Sequence, residues 1–307
     1  MSLALREIFG RTLQELKDDD RIVVLDADLG KATKADSFAK VCPERYIDVG
    51  IAEQDMVGMA AGLAAGGMIP IATSFSVFVT GRAFDQIRNT VCYANLNVKL
   101  VGTHSGVTVG YDGGTHQAIE DLAIMRSLPN MTVLCPSDEV ETRAAIFAAI
   151  EHKGPVYLRI SRVATGTVHD KEYTFKIGKG EILKQGNDVA IIATGIMVVK
   201  AIEAGKQLAA DGIEAMVVNM PSIKPIDKEL LIEVAKRTGK IVTAEEHTVI
   251  GGLGSAVSEA LSEYQPTQMR YVGVKDKFGC SGSPEDLLAN YHLQEIDIIH
   301  AVKDIIK

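Results

Sequence analysis

Short β-branched runs alternate with longer stretches of helical periodicity along almost the whole chain, and this alternation constrains the fold more than any other feature. Strand-like runs fall at residues 21–26, 45–49, 69–73, 98–102, 132–135 and 156–160. Helical spacing occupies residues 3–17, 53–65, 79–94, 118–127 and 138–152 between them. Parallel strands need a crossover between neighbours and are buried on both faces, so the order predicts mostly parallel sheet covered by helices. A second series repeats the pattern, with strands at 189–193, 214–219, 240–244 and 269–274. Its helices fall at 197–211, 227–238, 254–264, 284–290 and 295–306. Residues 163–186 are polar and glycine-bearing and read as a linker with a lead-in hairpin. The expectation is an α/β protein of two doubly wound domains, 1–165 and 187–307, joined by a linker at 166–186, and 307 residues suffice for both. After Pro136, Ser137-Asp138-Glu139 is a helix-start signal, with Ser137 as the expected cap.

Composition removes several classes of function. The formal net charge is −8, and no basic stripe exists to neutralise phosphates, so a nucleic-acid partner is not expected. No apolar run approaches the roughly 20 residues that cross a bilayer, so no membrane partner is expected either. The opening MSLALREIFG breaks, at Arg6 and Glu7, the apolar stretch a signal peptide requires. Cys42, Cys92, Cys135 and Cys280 lie far apart without a C-x-x-C pair, which fits neither a zinc site nor a disulfide framework. Buried free thiols and a cytoplasmic location are the expectation, with no metal held by this chain.

Residues 103–117, THSGVTVGYDGGTHQ, carry the densest chemistry. His104, Asp112 and His116 sit in a glycine-rich stretch that follows a buried strand, where open α/β sheets bind ligands. The alternative is a solvated loop with incidental histidines. Glu53 opens the smooth helix EQDMVGMAAGLAAGG, either as a carboxylate complementing the helix dipole or as a buried carboxyl sharing a proton with a ligand nitrogen. Phe75 and Phe78 follow a strand end in a chain that is 5% aromatic and lacks Trp. They read as core, or as a flat wall for an aromatic ring. Arg6 and Arg162 are ordinary surface charges unless both face the His104 cleft, in which case they form a phosphate clamp. The run Gly251-Gly252-Leu253-Gly254 opens a helix and is read as close packing.

Together these residues resemble the C-terminal half of transketolase, a thiamine-diphosphate enzyme. The resemblance runs from Arg6 to the end and rests on LREIFGRTL, VLDADL, RYIDVGIAEQDM, SFSVF, GTHSGVTVGYDGGTHQAIEDLAIMRSLPN, CPSD, LRISR and HTVIGGLGSAVSEAL. It implies a pyrimidine-binding domain followed by the small transketolase C-terminal domain. By that resemblance Glu53 hydrogen-bonds N1′ of the aminopyrimidine, and Phe78, with Phe75 beside it, stacks on the ring. His116 and His104 contact the donor's hydroxyls and the reacting oxygen, with His116 also beside the cofactor. Asp112 binds the hydroxyl next to the carbonyl, and Arg6 and Arg162 hold the sugar phosphate. The implied reaction moves a two-carbon ketol unit from a ketose phosphate to an aldose phosphate.

Two positions depart from the family pattern. Ala32 stands where a serine often completes the phosphate site, and Gly81 where some relatives place a third aromatic. The Gly-Asp-Gly…Asn motif that holds Mg²⁺ in the family's diphosphate-binding domain is not found, since Asp112-Gly113 and Asp211-Gly212 lack its context. The resemblance therefore implies a second subunit or a piece of a longer chain, forming a homodimer and inactive alone. An N-terminal partner subunit then supplies the diphosphate site and Mg²⁺. Deoxyxylulose-phosphate synthase shares the half-chain architecture but carries Arg at the position of His104. A dehydrogenase E1 β-subunit would lack GYDGGTHQ, and a non-catalytic relative is the remaining alternative.

Overall fold

The computed structural model describes residues 3–307, and Met1 and Ser2 lie outside the described residues. Among the described residues the strands are β1 (Ile22–Asp26), β2 (Tyr46–Asp48), β3 (Ile69–Phe75), β4 (Lys99–Thr103), β5 (Thr132–Leu134) and β6 (Val156–Arg159), followed by β7 (Glu181–Lys184), β8 (Val189–Ala193), β9 (Ala215–Asn219), β10 (Ser222–Lys224), β11 (Lys240–Thr248) and β12 (Gln268–Val274). They form two sheets, ordered β10-β5-β6-β4-β3-β1-β2 and β12-β11-β8-β9-β7. All pairings are parallel except β10 with β5 and β7 with β9.

Period-two alternation assigns each side chain of β1 to a layer. Ile22 and Val24 join Leu5, Phe9 and Leu13 of the first helix and Ile146 and Ile150 of helix Glu139–Glu151. Val23 and Leu25 point the other way, into a cluster with Met56, Val57, Ala60 and Ala61 of helix Glu53–Ala65. Both faces are thus dry, and β1, β3 and β4 are buried along their whole length, with apolar residues predominating. That second cluster continues without a break into Ala190, Ile192, Met216 and Val218 of the other sheet. The two doubly wound domains therefore share one layer of core, and β10 crosses over to extend the first sheet beside β5.

Four local expectations are corrected. The hairpin before the second series is a single strand, β7, paired antiparallel with β9. Its upstream residues Tyr173, Phe175 and Ile177 pack instead on the first domain, which leaves only residues 181–184 to join the second sheet. The helix expected over 79–94 is helix Ser76–Arg82 followed by a π-helical segment, Gln86–Cys92. The wider turn sets Ile87, Val91 and Cys92 all on the buried side. The cap of helix Glu139–Glu151 is Asp138, which accepts from the Glu141 backbone N–H at 2.8 Å. The Ser137 hydroxyl donates to the Glu141 carboxylate, and Asp138 is drawn into the cap position because it also ties down the Val168 and His169 amides. Cys42, Cys92 and Cys135 are buried free thiols, but Cys280 is exposed in the polar stretch that precedes helix Pro284–Asn290. No helix among the described residues is long and apolar enough to cross a membrane.

Candidate active site

Register brings the principal site residues together at the carboxyl edge of the first sheet. Phe75 is the last residue of β3 and pairs with Thr103, the last residue of β4. His104 follows in a left-handed conformation (φ 54°) that turns its ring onto Phe75, stacked at 3.9 Å between centroids and 18° between planes. Phe78, on the first turn of helix Ser76–Arg82, lies parallel to Phe75 at 5.8 Å and 7°. His116 presents its ring edge-on to Phe78 at 5.2 Å and to Phe75 at 6.3 Å. Two parallel phenyl rings, one covered by the His104 imidazole and both met edge-on by His116, make an aromatic wall of the kind an aromatic ring packs against.

The protonation of His104 follows from its partners. Arg6 Nη1 lies 3.1 Å from His104 Nε2, and a guanidinium has donors only, so Nε2 accepts. Nδ1 then carries the proton and donates to Thr103 Oγ1 at 3.0 Å, while that hydroxyl turns to the Ser74 carbonyl. Burial, reinforced by the charges of Arg6 and Arg162, pushes the imidazole down to about 3, so it is neutral at physiological pH. Arg6 is fixed in turn by the Ala32 carbonyl at 3.2 Å. Ala32 therefore contributes its backbone at the position where the family often carries a serine. A Cβ added at Gly81 would meet nothing within 4 Å, so the second departure leaves open space beside Phe78.

Glu53 begins helix Glu53–Ala65 and is only 4% exposed. Its carboxylate is held by Arg82 Nη1 at 2.8 Å, and the same guanidinium lies over the Phe78 ring, 4.0 Å from its centroid. Arg82 went unread in the sequence, although its spacing of one helical turn from Phe78 is a usable signal. Arg162 and Asp112 form a pair at the rim, 3.1 Å apart, with Arg162 also donating to the Val109 carbonyl at 2.6 Å. The structure thus gathers Arg6, Phe75, Phe78, His104 and His116 in one contact network, reaches Glu53 through Arg82, and pairs Asp112 of the loop with Arg162, which follows β6.

Fold and geometry define a two-domain α/β protein whose candidate site residues gather at the carboxyl ends of a parallel sheet. Comparison gives the family. The transketolase pyrimidine-binding domain matches residues 1–167 and the transketolase C-terminal domain matches residues 178–298. The chain belongs to the transketolase family and corresponds to its C-terminal half. A solved structure described as a split gene transketolase, inactive β4 tetramer, is 52% identical with a TM-score of 0.93, covering 99% of this chain and 98% of that one. The 6-deoxy-6-sulfo-D-fructose transketolase subunit SqwH of Clostridium sp. strain MSTE9 is 45% identical over 95% of this chain and 91% of its own length. The 1-deoxy-D-xylulose-5-phosphate synthase 1 of Geobacter sulfurreducens is 44% identical over 96% of this chain, which spans 47% of that enzyme.

Proposed function

We propose that this chain supplies the pyrimidine-binding half of a thiamine-diphosphate-dependent transketolase that moves a two-carbon ketol unit between sugar phosphates. The observation that carries the reading is a buried carboxyl, Glu53, linked through Arg82 to the stacked Phe75–Phe78 wall with its two imidazoles. That donor set fits an aminopyrimidine, which needs an apolar face to stack on and one carboxyl at its ring nitrogen. Thiamine diphosphate, when bound, supplies a nucleophilic carbon for a ketose carbonyl.

In this reading Glu53 holds a proton at N1′ of the pyrimidine, and Phe78, backed by Phe75, fixes the ring plane. Neutral His104 presents Nε2 as a hydrogen-bond acceptor to a donor hydroxyl or the reacting oxygen. His116, half-buried beside both rings, contacts hydroxyls from the other side. Asp112 reads the hydroxyl next to the carbonyl, and Arg6 and Arg162 take the anionic end of the sugar. An N-terminal partner subunit binds the diphosphate and Mg²⁺, and copies of this chain associate with one another. The relation to the split-gene structure supports both associations.

The test mixes the purified chain with a family N-terminal subunit and measures thiamine diphosphate binding, then turnover of xylulose 5-phosphate and of 6-deoxy-6-sulfofructose. Cofactor binding and ketol transfer only in the mixture are expected, with transfer lost in Glu53→Ala. Turnover by the chain alone, or full activity of Glu53→Ala, overturns the reading. Pyruvate-dependent deoxyxylulose phosphate formation would move it to the synthase class.

A further inference from the structure

The second domain reaches the loop that carries His104 and Asp112 at two points, the Ser281 hydroxyl donating to the Tyr111 carbonyl at 2.7 Å and a buried carboxyl nearer His104. Glu246, near the end of β11, is 2% exposed, and its Oε1 accepts from the Thr108 backbone N–H at 2.7 Å. Thr108 lies 138 residues away in the chain, midway between His104 and Asp112. The same carboxyl packs flat on Gly106, where an added Cβ would run into it, and Gly106 holds a φ of 76° that L side chains rarely adopt. Gly106 is thus doubly required, by conformation and by the approach of Glu246. Around the contact, Arg159 ties the Glu246 and Ala118 carbonyls together while pairing with Asp121 at 2.8 Å. The Gly106 amide closes the loop onto Ala118 at 2.8 Å. His104 sits two residues before Gly106, so the carboxyl grips the loop next to its strained start.

We propose that Glu246 is a positioning residue for the reaction assigned above, holding residues 104–112 in the shape that aims His104 and Asp112 at the substrate. The inference rests on that functional reading only for its kinetic consequence. One oxygen of Glu246 has no partner, and the other takes the Thr108 amide, while Gln117 and Arg162 of the first domain donate to the Val107 and Val109 carbonyls at 3.0 and 2.6 Å. The loop's carbonyls are thus held from its own domain, whereas the Thr108 amide is held by a carboxyl of the C-terminal domain, which contributes none of the residues assigned to cofactor or sugar.

Glu246→Gln keeps an oxygen for the Thr108 amide, whereas Glu246→Ala and the space-filling Glu246→Leu do not. Hydrogen–deuterium exchange of peptides spanning 104–117, read in the full chain, is expected to quicken about tenfold in Ala and Leu and to match the parent in Gln. In the assembled enzyme kcat/KM for the donor sugar is expected to fall about tenfold to a hundredfold in Ala and Leu, with thiamine diphosphate affinity unchanged. Glu246→Gln is expected to restore it to within about threefold. Unchanged exchange at 104–117 in both Ala and Leu overturns the proposal, as does failure of Gln to rescue. If the parent complex transfers no ketol unit, the functional reading fails while the exchange comparison still decides the role of Glu246.

Discussion

Arg82 donates to Glu53 at 2.8 Å while its guanidinium lies 4.0 Å over the Phe78 ring, so one planar cation satisfies both the carboxyl and the aromatic face of the site. These are the two contacts assigned to the aminopyrimidine, and arginine and ring compete for them. Arg82 is about half exposed and can swing into solvent when displaced. A half-exposed ion pair is worth roughly 0.4–1 kcal/mol at this degree of burial, a factor of about two to five in affinity. Arg82→Ala is therefore expected to lower the Kd for thiamine diphosphate about two- to fivefold in the assembled enzyme. Calorimetric titration reads it directly, and a weaker Kd would mean that Arg82 assists the cofactor.

The Arg6–His104 contact predicts a histidine silent across the working pH range. His104 titrates at about 3 because burial and the charges of Arg6 and Arg162 disfavour its cation. Its folded pKa lies below the unfolded value of about 6.5. The stability it contributes is full above pH 6.5 and falls away as pH drops through 6.5 toward 3. Arg6→Gln removes the nearer charge and moves the titration upward, though burial keeps it below the unfolded value. Histidine proton resonances followed from pH 4 to 8 separate the two proteins. A parent His104 that titrates near 6.5 would contradict the assigned tautomer.

Phe78 is half-buried, whereas Phe75, at the end of β3, is buried with His104 stacked on its ring. Truncating the first should thus affect ligand more than fold. An aromatic stacking contact is worth about 0.5–1.5 kcal/mol beyond area burial. Phe78→Leu is expected to raise the thiamine diphosphate Kd about two- to tenfold with a nearly unchanged unfolding midpoint. Phe75→Leu is expected to shift both, since His104 loses the ring it stacks on. Equal loss of stability in the two variants would remove the distinction.

What could be read in advance divides along a physical line. The parallel sheets were legible because strands buried on both faces are mostly apolar, as at residues 22–25 of β1 and 69–72 of β3, a pattern independent of partner strands. The gathering of His104 and His116 beside Phe75 and Phe78 was foreshadowed by their place in a glycine-rich segment directly after a buried strand. Arg82 was legible only in part, because its one-turn spacing from Phe78 hints at the ring contact while nothing local reports the buried carboxylate it meets. Glu246 was hidden for a different reason. Its partner, Thr108, lies in another domain, and no local spacing reports a contact made across 138 residues. The strand β10 escaped notice because three residues, Ser222-Ile223-Lys224, are too few to show any periodicity. The short helices Gly30–Thr33 and Asp36–Ala39 were lost the same way.

The connection between the domains carries its own pH dependence. Asp138 Oδ2 accepts from the Val168 and His169 amides at 2.6 and 2.8 Å and lies 3.1 Å from His169 Nδ1. His169 Nε2 faces Glu181 at 3.4 Å and Glu141 at 3.8 Å, and Glu141 also binds Tyr173 and Asn219. Burial alone would lower the His169 pKa, but the hydrogen bond to Asp138 and the charge of Glu141 hold it above its ordinary value. A histidine raised on folding adds stability that is full below pH 6.5 and is lost as pH climbs through the folded pKa. Asp138→Ala removes a helix cap and one partner of a buried pair, and is expected to destabilise the chain by about 3–5 kcal/mol. It should also flatten the decline in stability that the parent shows between pH 6 and pH 8. Urea unfolding at the two pH values measures both effects. A variant that keeps the parent's pH slope would show that His169 owes its raised pKa to Glu141 and Glu181 instead.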